Sequence, residues 1–210
     1  MANYKTVLFF NSLTLLLVGL VTGCLSLYGS SVKGLFLPPC SATYPGAGFF
    51  FLAFQMLFYL SAMIGIFTFG LLRVIQPNRP ENRFILYSAL LAGCFLFNEV
   101  FRTHVHLGRA GFPKVTIVIF YAVLAIAYGL VFRRQIKLTS YPLLLSGVGL
   151  LFVAFFAEAL PLKNELVASL LEGIPKLLSG INIALYFWFL CQGSIVRSLN
   201  STKYNQTTAL

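Results

Sequence analysis

Six long apolar runs, 6–28, 49–72, 84–106, 115–132, 141–160 and 174–196, alternate with short segments that hold most of the Lys, Arg and Pro residues. At about 1.5 Å per helical residue, each run is long enough to cross a hydrocarbon core of roughly 30 Å. The pattern therefore predicts an all-α, polytopic transmembrane bundle of six helices, with 1–210 forming one domain. Borders follow local chemistry. Lys5 precedes the first run, Arg73 closes the second, and Arg133-Arg134 stop the fourth. Gly108, Gly111 and Pro113 break the chain after the third run, and Pro142 falls in the first turn of the fifth. The last apolar stretch starts at Glu165 and would make a helix of roughly 48 Å, more than one crossing. Gly173 and Pro175 interrupt it, which predicts a short interfacial or re-entrant helix over 165–173 before the sixth span.

The segment 29–48 cannot be regular helix throughout, because it holds Pro38-Pro39, Pro45 and several glycines. It carries Cys40, which could bridge to Cys24 in an oxidising compartment, although two free thiols are the plainer reading. Val21-Thr22-Gly23-Cys24 also fits the small-residue pattern before a lipidated cysteine. The length of the first run favours a retained span beginning near residue 6.

Composition supports the membrane assignment, since 59% of residues are hydrophobic and 10% charged, far from the roughly 25% charged of soluble domains. The net charge of +10 would suggest nucleic acid in a soluble protein. Here the cations flank apolar runs, the pattern that orients membrane proteins, so the lipid bilayer is the expected partner and nucleic acid is not. With the N-terminus inside, Lys5, Arg73, Arg79, Arg83, Arg133, Arg134, Lys137, Arg197 and Lys203 are cytoplasmic; Lys33, Arg102, Arg109, Lys114, Lys163 and Lys176 are not. Nine against six predicts that both termini are cytoplasmic.

The acidic residues run the other way: Glu99, Glu158, Glu165 and Glu172 fall outside and only Glu81 inside. Glu99 lies 15 residues past Phe84, about 22 Å along that helix, and Glu158 sits at a similar depth in the fifth span. An ionised side chain at this depth is costly unless it faces partners or water. Glu99, Arg102, His106, Glu158, Glu172 and Lys176 are therefore the candidate ligand or proton cluster near the non-cytoplasmic face. If the helix continues to residue 106, Glu99, Arg102, Thr103 and His106 share one stripe, and Glu99 can pair with Arg102. His104 and His106 then point about 200° apart, so no metal site is assigned. Glu172 and Lys176 have the favourable i, i+4 order. The competing readings are a headgroup-contacting helix end for the histidines and basic residues, and a purely structural ion pair for the glutamates.

No P-loop, GxGxxG, HExxH, GxSxG or paired CxxC motif is present, and the chain lacks Asp, so the common nucleotide-binding and hydrolase signatures are missing. No cofactor and no catalytic residue is assigned. The segment NEVFRTHVH at 98–106, the following span ending in FRR, and LLEGIPKLLSGINIALYF at 170–187 resemble uncharacterised six-span bacterial integral membrane proteins. The likeness implies a bacterial plasma or photosynthetic membrane and no particular activity. Three functions fit: binding or transport of a small polar or ionisable ligand, an accessory or assembly subunit of a larger membrane complex, or a membrane-embedded lipid-modifying enzyme. A transporter of this size is expected to form a homo-oligomer.

Overall fold

The structure is a computed structural model that describes residues 4–28, 32–36, 46–77, 79–103, 106–107, 111, 114–159 and 164–207, without the side chains of 114, 115, 117, 118, 158, 159, 165 and 202–207. Among the described residues the chain is helical and holds no strand. In order, the helices are α1 Tyr4–Leu27, α2 Lys33–Phe36, α3 Phe49–Ile75, α4 Pro80–Phe101, α5 Lys114–Val131, α6 Arg133–Lys137, α7 Tyr141–Ala159 and α8 Glu165–Thr207. Four segments are long and apolar enough to cross a membrane: Tyr4–Leu27, Phe49–Ile75, Pro80–Phe101 and Leu166–Ser201. Ile119–Val131 and Tyr141–Ala157 are shorter apolar helices among the described residues.

Two expectations are corrected. The third apolar run is not one unbroken helix to residue 106, because α4 ends at Phe101 and Arg102 interrupts it, although Thr103, His106 and Leu107 are again helical. Arg102 adopts the left-handed region (φ 49°), its N–H bonding to the Asn98 carbonyl. This costs a non-glycine residue free energy. A hydrogen bond from Thr103 Oγ1 to Asn98 Oδ1 helps to offset it. The second correction concerns the last run, where no separate interfacial or re-entrant helix precedes the span. Instead α8 is one helix of 43 residues that passes through Gly173 and Pro175. Pro175 removes the N–H that the Leu171 carbonyl would use, normally a helix breaker. Tertiary packing on both sides of the proline overrides that local preference, as it does for much of helix stability in proteins.

The chain divides into two compact units. One comprises Phe58–Tyr141 and Tyr186–Leu210 with Met1, the other Ala2–Leu57 and Pro142–Leu185. In the first, Phe58, Leu72, Phe84, Ile85, Ala89, Phe95, Tyr186 and Leu190 are buried beside Ser61, Thr68, Ser194 and Ser198. A Cβ added to Gly65 would lie 2.7 Å from the Ala89 Cβ, so glycine is what lets α3 and α4 approach this closely. Small and hydroxylated residues in helix interfaces are the usual membrane solution, since lipid tails give apolar side chains no reason to prefer the interior.

In the second unit, Phe50, Phe54, Leu143, Ala154, Leu177 and Ile183 are buried. The short helix α2 folds into this unit, with Leu35 buried and Phe36 stacked on Phe50 at 5.2 Å. A bond of 2.8 Å from the Gly48 N–H to the Gly34 carbonyl ties the segment down. Helix α1 buries only Val18 fully and leaves Leu8, Phe9, Leu16 and Leu20 exposed, as a lipid-facing helix would.

Candidate functional site

The six expected site residues are divided between the two units. In the first unit, Asn98 and Glu99 occupy the last turn of α4 and are 5% and 4% exposed. The neighbouring Val100 and Phe101 are exposed apolar side chains, so the two polar residues look inward while the flanking ones look out. Phe95, one turn before Glu99, meets Tyr121 of α5 edge-on at 5.9 Å. Thr103 closes the corner on Asn98. A carboxylate this well buried is expensive unless it is partnered, and a site that handles charge is one reason to retain it.

The helix end changes the relation of Arg102 and His106 to this carboxylate. The i, i+3 and i, i+7 relations expected to carry the shared stripe hold only inside a helix, and α4 has ended. Arg102 is exposed, and so is His106, whose N–H reaches the Arg102 carbonyl at 3.4 Å. His104 lies outside the described residues.

In the second unit the expected Glu172–Lys176 pair is present. The Lys176 Nζ donates to the Glu172 Oε1 at 2.8 Å, one turn away across Pro175. It also lies 5.9 Å from the centroid of the Phe155 ring on α7. The ammonium is thus held by a carboxylate and an aromatic face, with its side chain 16% exposed. Glu158 belongs to α7, and its side chain lies outside the described residues.

Hydropathy and charge counts passed over a pair of amides here. Asn11 Nδ2 donates to Asn182 Oδ1 at 3.1 Å, and Asn182 Nδ2 returns a bond to Asn11 Oδ1 at 3.0 Å. Each Nδ2 also donates to the carbonyl one turn back, that of Val7 at 2.9 Å and that of Leu178 at 2.8 Å. All amide hydrogens and both side-chain oxygens thereby gain partners, fixing α1 against α8. The only sequence signal was an uncharged amide inside each of the two apolar runs.

Cys24 is an exposed free thiol, and Cys40 lies outside the described residues. Among the described residues, no three His, Cys, Asp or Glu side chains gather as a metal site.

Long apolar helices joined by buried hydroxyl and amide contacts, with an ionisable group retained inside, are the build of a helical membrane protein. The chain belongs to a domain family of unknown function, DUF8692, whose model matches residues 11–191. No curated protein and no solved structure matches it.

Proposed function

We propose that the chain crosses the membrane six times with both termini in the cytoplasm, and that it binds or transports a small polar or ionisable ligand near the non-cytoplasmic face. The observation that carries this proposal is Glu99, a carboxylate 4% exposed at the end of an apolar helix. Asn98, its neighbour in sequence, is buried as well and accepts a hydrogen bond from Thr103. From the sequence alone, Arg102, His106, Glu158, Glu172 and Lys176 are proposed to share in handling the ligand or proton. The six-crossing count rests on α5 and α7, which at 18 and 19 residues reach about 27 Å each, near the thickness of the hydrocarbon core. The resemblance to bacterial six-span proteins supports a bacterial membrane.

A second reading, an accessory subunit of a larger membrane complex, is favoured by α1. That helix leaves most of its circumference exposed, with open space over Gly19 and Gly23.

The test is thermal unfolding of the purified full chain against a panel of small amines, amino acids and monovalent cations, using wild type and Glu99→Gln. A ligand bound only by the folded state stabilises it by an amount that grows with the logarithm of its concentration above Kd. The expected result is a wild-type melting point that rises with at least one panel member and does not rise in Glu99→Gln, whose ligand-free melting point stays near that of wild type. Equal shifts in both proteins would remove Glu99 from the site. If no panel member acts and a partner protein co-purifies, the accessory-subunit reading is correct.

A further inference from the structure

Beyond the Glu99 site, we infer that the arginine-rich end of the first unit is a binding surface for the headgroups of anionic phospholipids. The cations there come from four elements: Arg73 at the end of α3, Arg83 in the first turn of α4, Arg133, Arg134 and Lys137 on α6, and Arg197 on α8. All six side chains are exposed. Among the described residues, the one carboxylate at this end, Glu81, is taken by Arg79 at 3.4 Å. Arg79 also donates to Ser201 of α8 at 3.1 Å, which ties the end of that helix to the α3–α4 connection. Among the described residues none of Arg73, Arg83, Arg133, Arg134 and Lys137 has an ion-pair partner. The surface thus carries an excess of positive charge that the described residues do not neutralise.

Aromatic packing brings two of these elements together. Phe84 stacks on Tyr128 at 6.1 Å and meets Phe132 at 5.5 Å. Tyr87 reaches Phe132 at 5.7 Å. Arg83 and Arg133 adjoin the two contacting phenylalanines in sequence, so this aromatic contact holds both cations at the same end of the unit. Leu130, Val131 and Leu138, which bracket the α6 cations, are 65%, 71% and 74% exposed. Exposed aliphatic side chains, aromatic rings and guanidinium and ammonium groups at one end of a unit are the three chemistries that acyl chain, interface and phosphate of a bilayer leaflet call for. A free anion would need the cations and not the aliphatic rim. A nucleic acid would find the surface lying against lipid.

The inference rests on the chain crossing a membrane and is independent of Glu99. Loss of ligand stabilisation in Glu99→Gln leaves it standing, and its own failure leaves the Glu99 site standing. The test is native mass spectrometry of the full chain in mild detergent with equimolar phosphatidylglycerol and phosphatidylcholine. The expected result is preferential retention of phosphatidylglycerol, with affinity falling about fivefold for each cation removed, accumulated in the triple variant Arg133→Gln, Arg134→Gln, Lys137→Gln. The charge-keeping variant Arg133→Lys, Arg134→Lys retains the preference. Should the triple variant fail to insert, salt gives the same readout on wild type, because raising it from 0.1 to 1 M shortens the screening length from about 10 to 3 Å. The preference is then expected to collapse. Equal retention of the two lipids, or a preference indifferent to both the variant and salt, would overturn the proposal. So would displacement of the lipid by inorganic phosphate at constant ionic strength, which would mark a free-anion site.

Discussion

Glu99 is the residue on which function and stability are most easily confused, and Gln separates them. It keeps the size and most of the hydrogen-bonding capacity of Glu but carries no charge. If the carboxylate serves a ligand, Glu99→Gln should change stability by less than about 1 kcal/mol. If Glu99 were only half of a buried ion pair, removing its charge would strand the partner and cost about 3 to 5 kcal/mol. Urea or thermal unfolding in detergent distinguishes the two. Gly173 offers a packing test at the same scale. A Cβ there would overlap the Phe36 ring, with Cγ at 2.7 Å, whereas one on Gly93 meets nothing within 4 Å. Gly173→Ala is expected to destabilise by about 1 to 3 kcal/mol, and Gly93→Ala to be neutral or stabilising by up to about 1 kcal/mol. Comparable melting points for the two variants would contradict the docking of α2 on α8.

Among the elements, the hold of α8 on α1 depends on the reciprocal amides of Asn11 and Asn182. Replacing either by Leu leaves the other amide short of partners in an apolar setting, and is expected to cost about 1 to 2 kcal/mol. Replacing both should cost less than the sum, giving a coupling of roughly 1 kcal/mol in a double-mutant cycle of unfolding free energies. Strict additivity would mean that the pair does not hold α1. The contrast with helix borders explains what the sequence made legible. α1, α3, α5 and α7 begin or end within a few residues of the apolar runs, because Lys, Arg, Pro and Gly punctuate those runs directly. The end of α4 was hidden, since it falls at Arg102, a non-glycine residue in the left-handed conformation, and not at a breaker residue. The continuity of α8 was hidden for the opposite reason. Gly173 and Pro175 are breakers by local preference, but Gly173 makes room for Phe36 and the Glu172–Lys176 pair spans the proline. Buried Glu99 was legible as a charge within an apolar run, whereas an amide pair formed across 171 positions was not.

For the whole molecule, orientation decides whether the acidic residues and the arginine-rich end face opposite compartments. The positive-inside bias assigns Arg79, Arg83, Arg133 and Arg134 to the cytoplasm and Glu99 to the far side. Six crossings return both termini to the cytoplasm, and five or seven would not. Single-cysteine labelling of a cysteine-free background in intact cells, with a membrane-impermeant maleimide, tests this directly at positions 46, 79, 110 and 134. The expected result is labelling of Gly46→Cys and Ala110→Cys in intact cells, and of Arg79→Cys and Arg134→Cys only after permeabilisation. Labelling of position 46 only after permeabilisation, or of positions 79 and 134 in intact cells, would contradict the six-crossing orientation and remove Glu99 from the compartment its ligand is proposed to come from.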